Sequence, residues 1–328
     1  MPISNQVVGR LAPSPTGAQH LGNARTYLLA WLAARSAGGR VILRIEDIDS
    51  PRVKPWATEQ AMDDLRWLGL DWDEGPDIGG PHGPYIQTTK ANRYQVVLQE
   101  LVAAGKAYPC VCSRQDIATA ASAPHPNTDT ATQHDHEGPV YPGTCAAWQI
   151  GDPLPPQGSY CWRYRATDRI REFVDLVHGR QQLNVAKELG DFPLTRKTGE
   201  AAYQLAVVID DIEMTINQVV RGDDLIASTF RQLDLFEALH APPPQFAHVP
   251  LVLGPDGRRL AKRHGDTRLS QYREAGIDPR QIIGWAAASS GLIEKPVCSR
   301  PDELIDSFCF ERLDRQATHI NDAIFRDS

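Results

Sequence analysis

Apolar and polar positions alternate along the chain in blocks that predict a mixed α/β fold. Val7 to Leu11 is a short apolar strand, followed by a Pro/Gly loop from Pro13 to Gly22. Ala24, Tyr27, Leu28, Trp31, Leu32 and Ala34 then recur at helical spacing and predict an amphipathic helix closed by Gly38-Gly39. Arg40 to Ile45 is a second strand, ending in Glu46-Asp47-Ile48-Asp49. Strand, helix and strand within about 40 residues form a βαβ unit, hence a parallel sheet with its ligand site beyond the strands' carboxyl ends. That geometry puts the Pro13–Asn23 loop and Glu46 in one crevice. A solvated turn is the plain alternative for the acidic run.

Further along, Glu59–Leu68 and Ala91–Ala103 predict amphipathic helices, separated by a Gly-, Pro- and Asp-rich loop over Trp72–Tyr85. Tyr160–Arg165 and Arg171–Val177 alternate as strands do. Tyr203–Asp211 is a buried apolar segment leading to two acids, and Asn217–Arg221 is a strand. Ser228–Leu239 predicts a helix capped by Ser228. Val249–Leu253 and Arg258–Leu260 predict a hairpin around Pro-Asp-Gly, leading into the basic loop Ala261–Gly265. Residues 118–139, rich in Ala, Thr, Pro and His, show no periodicity and predict a mobile insertion.

Composition narrows the class. With 41% hydrophobic and 23% charged residues, the 328-residue chain is globular and long enough for two or three units. Its longest apolar run, Tyr27–Ala34, is too short to span a bilayer, and the start shows no signal-peptide pattern, so a cytoplasmic location is expected. The net charge of −7 excludes a uniformly basic nucleic-acid binder but not a local patch, for which Arg163, Arg165, Arg169 and Arg171 are candidates. The same arginines could be solubilising charges on a strand face. Of six cysteines, Cys161, Cys298 and Cys309 are scattered, whereas Cys110, Cys112 and Cys145 fall close together. In a reducing compartment such a group reads as a metal site or as three free thiols.

The chemistry concentrates in two stretches. His20-Leu-Gly-Asn23 opens a helix, where backbone N–H groups and the helix dipole favour phosphate. Arg259-Leu-Ala-Lys-Arg263 supplies a lysine on a loop able to close. Together they form a two-part ATP clamp: His20 donates to charge building on the α-phosphate, Gly22 gives the nucleotide room, and Lys262 neutralises pyrophosphate.

Arg10–Gly17, His20–Asn23, Leu43–Asp49 and Arg259–Arg263 resemble, in that order, the signatures of class I glutamyl-tRNA synthetases. Tyr203–Ala206, Asp210-Asp211 and Val220–Leu225 extend the resemblance over most of residues 7–290. It implies a Rossmann-like parallel-sheet catalytic core and a glutamate pocket formed by Arg10, Leu11, Ala12, Pro13, Ser14, Glu46, Tyr203 and Arg221. His20, Gly22, Asn23 and Lys262 would hold ATP with Mg2+, and His20 and Lys262 would be catalytic. Two guanidinium forks could each grip one carboxylate bidentately, with Glu46 on the ammonium. Only 66 residues follow Lys262 (328 − 262), too few for the family's anticodon-binding region. This, with Val207 in place of an expected asparagine, resembles the truncated glutamyl-Q tRNA(Asp) synthetase branch, which attaches glutamate to the queuosine base in the anticodon of tRNA(Asp). The branch implies a structural Zn2+ held by Cys110, Cys112, Tyr141 and Cys145; composition alone would choose His134 or His136 as the fourth ligand. The partners implied are L-glutamate, ATP and queuosine-containing tRNA(Asp), with no membrane and no DNA.

The expected organisation is a catalytic first half over 1–107, an inserted zinc-bearing subdomain over 108–195, a second catalytic half over 196–265 and a helical tail over 266–328. A core that charges tRNA(Glu), a non-catalytic glutamate- or tRNA-binding protein, and a small-molecule adenylyltransferase are the rival readings.

Overall fold

The computed structural model describes residues 6–15, 18–48, 53–121, 139–254, 256–258, 260 and 267–320. Lys262 and the rest of its loop, His134, His136, Gly17 and Asp49 lie outside these residues.

Strand β1 (Val8–Leu11) feeds helix α1 (Leu21–Ser36), which returns to strand β2 (Arg40–Leu43). The strands pair in parallel with Val8 opposite Arg40 and Leu11 opposite Leu43, as a βαβ unit requires. Helices α2 (Pro55–Trp67) and α3 (Ala91–Ala103) follow. A three-stranded antiparallel sheet comes next in space, in the order β3 (Ala107–Cys110), β4 (Cys161–Tyr164), β7 (Phe192–Pro193), with helix α4 (Arg114–Ala121) after β3. Strands β5 (Ile170–Asp175) and β6 (Gly179–Asn184) form an antiparallel hairpin. Helix α5 (Tyr203–Glu213), β8 (Gln218–Gly222), α6 (Ile226–Ala238) and β9 (Gln245–Val249) complete a four-stranded sheet in the order β6-β5-β9-β8. Its β5, β9 and β8 run parallel. The Asn217 N–H donates to the Val8 carbonyl at 3.1 Å, joining β1–β2 to β8 at the sheet's start. The carboxyl ends of β1, β2, β8 and β9 therefore open on the same side, where ligands bind in such sheets.

Several expectations need correction. Helix α1 is not amphipathic: eleven of its sixteen residues are buried, Arg25 included. Its outer face is covered by helix α8 (Pro279–Ala288), whose Ile282, Ile283 and Trp285 share one core cluster with Leu28, Leu29 and Trp31. A helix covered on all sides needs no polar stripe. Arg25 reaches away from that helix, donating to the Pro250 carbonyl at 2.6 Å and to Thr318 Oγ1 at 2.9 Å. Residues 203–213, left open as an apolar segment, are helical, with Asp210 and Asp211 buried inside the helix. Ser228 is not a cap; it sits inside α6, where its hydroxyl accepts from Gln204 Nε2 at 3.0 Å. Around Gly254–Arg258 the turn hydrogen bonds are present, but β10 (Val252–Leu253) pairs in parallel with β11 (Thr318–His319) rather than with a second hairpin strand. Helix α7 (Leu269–Glu274) starts next to His20, which bridges Arg268.

The four candidate RNA-binding arginines are committed within the protein. Arg163 is buried over the Tyr141 ring and donates to the Asp191 carbonyl at 2.8 Å. Arg165 caps the Ala146 and Trp148 carbonyls, Arg169 pairs with Glu237, and Arg171 pairs with Asp234 and Glu237. They bind the cysteine-bearing segment and helix α6 to the strands. No described helix is long and apolar enough to cross a membrane.

Candidate active site

A cavity of about 570 Å³ opens at the carboxyl ends of β1 and β8. Its walls bring together Arg10, Ala12, Ser14, His20, Gly22, Asn23, Glu46, Tyr203 and Arg221, residues drawn from five separate stretches of sequence. Leu11 and Pro13 do not line it. Leu11 is buried in the core, and the Pro13 carbonyl accepts the Glu46 N–H at 3.0 Å, tying the first loop to the acidic strand end.

At the nucleotide end, the His20 ring caps α1. Its Nδ1 accepts from the Asn23 N–H at 3.4 Å, while Asn23 Oδ1 accepts the His20 N–H at 3.1 Å. With Nδ1 used as an acceptor, a neutral ring carries its proton on Nε2, which makes that nitrogen a donor. A side chain at Gly22 would meet His20 Cε1 at 3.1 Å and Val252 Cβ at 3.4 Å. The missing Cβ therefore makes room for the capping imidazole, a role the sequence reading assigned to the nucleotide.

At the amino-acid end, Glu46 and its neighbours hang on Arg44, a fully buried residue that the sequence reading did not single out. Arg44 donates to Glu46 Oε1 at 2.9 Å and to Asp211 Oδ1 at 2.6 Å, with Asp210 at 3.9 Å. Burial alone would lower its pKa, but Asp211 and Glu46 hold it well above the ordinary arginine value. Asp210 is saturated in turn by Gln87 (2.8 Å), Tyr94 (3.0 Å) and Lys90 (2.7 Å). These acids thus fix the cavity's floor.

Arg221 is held on nearly every donor. Its Nε donates to His248 Nε2 at 3.2 Å, Nη1 to the Tyr203 hydroxyl at 3.4 Å, and Nη2 to Thr229 Oγ1 at 2.7 Å and Gln232 Oε1 at 2.8 Å. A guanidinium has five N–H groups, so these four bonds leave too few for a second fork. The expectation that Arg221 grips a carboxylate bidentately is corrected accordingly. His248 in turn lies 2.6 Å from Asp175 through Nδ1, and the Asp175 carboxylate also accepts the N–H groups of Val177 and His178 at 2.9 Å. Burial pushes the His248 pKa down to about 4, against the opposing pull of Asp175. The neutral ring donates through Nδ1–H to Asp175 and accepts from Arg221 at Nε2, which fixes its tautomer. Arg10 donates through Nη1 to the Val220 carbonyl at 2.9 Å, and its buried Nε has no partner among the described residues. Desolvation lowers its pKa, with Asp211 pulling the other way. Arg10 therefore keeps the free edge that a carboxylate can occupy.

The cysteine group lies at the end of β3. The Sγ atoms of Cys110, Cys112 and Cys145 are all within 4.8 Å of one another, and Cys112 and Cys145 are 3.7 Å apart. Tyr141 OH is 3.4 Å from Cys110 Sγ, 3.8 Å from Cys112 Sγ, and accepts the Cys145 N–H at 2.8 Å. Four ligands around zinc at a metal–sulfur distance of about 2.3 Å would be separated by about 3.5–3.8 Å, so this donor set fits a tetrahedral ion. Cys161, read as scattered, faces Cys110 across the β3–β4 pair. A hydrogen bond from Cys161, together with Tyr141 and Arg163, holds Cys110 well below the ordinary thiol value. Strand pairing across 51 residues carries no signal in cysteine spacing.

Comparison with known proteins agrees with this geometry. Residues 6–320 match the family described as tRNA synthetases class I (E and Q), catalytic domain. The chain is 53% identical to a glutamyl-Q tRNA(Asp) synthetase of Rhodopirellula baltica over 98% of both chains. It is 50% identical to one of Symbiobacterium thermophilum over 95% of both. Among solved structures, a glutamate tRNA ligase from Elizabethkingia meningosepticum in complex with its amino acid superimposes with a TM-score of 0.80 at 29% identity, covering 98% of this chain and 68% of that one. The chain belongs to the class I tRNA synthetases of the E and Q type and is a ligase-type, synthetase-like enzyme.

Proposed function

We propose that the protein activates L-glutamate with ATP and transfers it to the queuosine base in the anticodon of tRNA(Asp). The observation that carries the amino-acid half is the convergence of Arg10, Arg221, Glu46 and Tyr203 on one cavity that also contains the capped start of α1. A dicarboxylic amino acid satisfies that set. Its carboxylates meet the two guanidinium groups, and its ammonium meets the Glu46 oxygen that Arg44 leaves available. In the first step the α-carboxylate attacks the α-phosphorus of ATP, the bond to the bridging oxygen breaks, and pyrophosphate leaves with the electron pair. His20 Nε2–H donates to the charge that builds on the phosphoryl oxygens. Lys262 is assigned to the departing pyrophosphate, and Mg2+ accompanies ATP. Cys110, Cys112, Tyr141 and Cys145 would hold a structural Zn2+ that fastens the inserted segment, which has little core of its own.

The acceptor half is supported by the two glutamyl-Q tRNA(Asp) synthetases, each matched along nearly its whole length. The test is transfer of labelled glutamate to queuosine-containing tRNA(Asp), to the same tRNA lacking queuosine, and to tRNA(Glu). Transfer to the first alone is expected; transfer to tRNA(Glu) alone would replace this reading with a tRNA(Glu)-charging core. Glutamate-dependent ATP–pyrophosphate exchange that is lost in Lys262→Ala excludes a non-catalytic binding protein.

A further inference from the structure

The end of the cavity nearest His20 is lined from two distant parts of the chain. Helix α1 and its cap supply His20, Gly22, Asn23 and Thr26, while β10 and its surroundings supply Leu251, Val252 and Leu260. The two parts come close at Gly22, where an added Cβ would lie 3.4 Å from Val252 Cβ. Strand β10 stands outside the four-stranded sheet and pairs with β11 alone. The Thr318 N–H donates to the Leu251 carbonyl at 3.1 Å and the Ile320 N–H to the Leu253 carbonyl at 2.9 Å. The ladder of the main sheet therefore does not fix how far β10 lies from α1.

Apolar packing contributes, since Val252, Leu260 and Ile320 share a core cluster with Leu21 and Leu28. Such packing is non-directional, whereas a hydrogen bond sets a distance and an angle. Arg25, on α1 and 2% exposed, supplies two. Its Nη2 donates at 2.6 Å to the carbonyl of Pro250, the residue just before Leu251. Its Nη1 donates at 2.9 Å to the Thr318 hydroxyl on β11, which itself donates to the Ser289 carbonyl at 2.9 Å. Burial pushes the Arg25 pKa down to about 10, with Asp223 and Asp314 pulling the other way, so the group stays charged near neutral pH. Both bonds are thus charge-assisted. One side chain joins α1, the entry to β10, and β11.

We infer that Arg25 is a positioning residue for the nucleotide: it holds β10 at a set distance from the capped start of α1, with β11 as the brace, and so fixes the width of the ATP end of the cavity. The inference rests on the proposed activation of glutamate by ATP. Arg25 is not a wall residue and acts through Leu251 and Val252. The glutamate end is built separately, from Arg10 on β1, Arg221 on β8, and Glu46 held by Arg44. Loss of Arg25 should therefore separate the two substrates.

Three variants of the full chain test this. Arg25→Met keeps bulk and removes both donors, Arg25→Lys keeps charge without the fork, and Thr318→Val removes the hydroxyl but keeps the strand. Glutamate-dependent ATP–pyrophosphate exchange is measured against ATP and against glutamate, with active sites counted from the burst of adenylate formation. Arg25→Met should raise the KM for ATP at least about tenfold and Thr318→Val about threefold, each leaving the KM for glutamate within about twofold. Arg25→Lys should fall between the wild type and Arg25→Met. A merely structural role would reduce the count of active sites and leave both KM values alone; that result would overturn the inference, as would equal rises for ATP and glutamate. If Arg25→Met does not fold, the Thr318→Val result decides by the same criteria. Calorimetric ATP binding without glutamate keeps this inference apart from the reading beneath it. A wild type that binds ATP but shows no exchange fails the activity reading, while weaker binding by Thr318→Val still supports the brace. Normal exchange with equal ATP binding in every variant removes the brace alone, and no ATP binding by the wild type overturns both.

Discussion

Two arginines face the same cavity and are held in opposite ways. Arg221 is spoken for by His248, Tyr203, Thr229 and Gln232, while Arg10 touches the Val220 carbonyl and keeps a buried Nε without a partner among the described residues. The first is a fixed positive charge integrated into the fold through β8, β9 and α6. The second is a desolvated charge with hydrogen-bonding capacity in reserve. Fixing a charge before the substrate arrives reduces reorganisation on binding, whereas free donors supply the directional grip. On the proposed function, the pocket would divide these tasks between its two cations, with Arg221 serving structure and field and Arg10 serving recognition.

If that division holds, the largest functional loss falls on Arg10. Arg10→Ala should lower glutamate-dependent exchange, measured as kcat/KM, by about 10³-fold, or about 4 kcal/mol, with Arg10→Lys little better because an ammonium cannot present two parallel donors. Denaturant midpoints for these variants should stay near the wild type. Arg221→Ala should instead cost about 3 kcal/mol of folding stability, because it strands His248 Nε2, Thr229 and Gln232 in the interior. Urea unfolding of the two alanine variants side by side checks this; an Arg10→Ala protein the less stable of the two would reverse the comparison.

The support under Arg221 also predicts a pH dependence. Unfolded, His248 takes up its proton near pH 6.5; folded, only near 4. Between those values the unfolded chain binds more protons, so this group's contribution to stability is present above pH 6.5 and declines by about 3 kcal/mol as pH falls to 4. Comparing wild type with His248→Gln isolates the effect. Asp64, pushed up to about 6 by burial, acts in the opposite sense but is common to both proteins. A difference that does not change with pH would mean that the folded histidine titrates normally. The smallest effect belongs to Thr229→Val, which removes one of two acceptors on Arg221 Nη2 and should cost about 1 kcal/mol in stability with less than tenfold in exchange.

Much of this pocket was legible in the sequence, and what was not has a common cause. Arg10, Ser14, Glu46, Tyr203 and Arg221 each sit in a local stretch with its own pattern, and the parallel βαβ unit follows from strand, loop and helix order. His248–Asp175 and Arg44–Asp211 are pairings across 73 and 167 residues, made by sheet order and by the packing of α5, and no local pattern announces them. Helix α5 was ambiguous because a short continuous apolar run suits a buried helix and a buried strand equally well. The arginines at 163–171 looked like an RNA surface because sequence shows charge but not partners. Asp191, Asp234 and Glu237, which accept or balance them, arrive from β7's approach and from α6. Cys161 was set aside for the same reason, since its neighbour is a strand partner rather than a sequence neighbour.

On the proposed function, one free-edged and one fixed arginine together select a dicarboxylic amino acid. Amino-acid-dependent ATP–pyrophosphate exchange with glutamate against glutamine tests it most directly. A site that leaves a buried guanidinium without its carboxylate rejects the amide strongly, so glutamate should be preferred in kcat/KM by at least about 10³-fold. Comparable exchange with glutamine, or a preference for it, would mean that the two arginines do not read a second carboxylate.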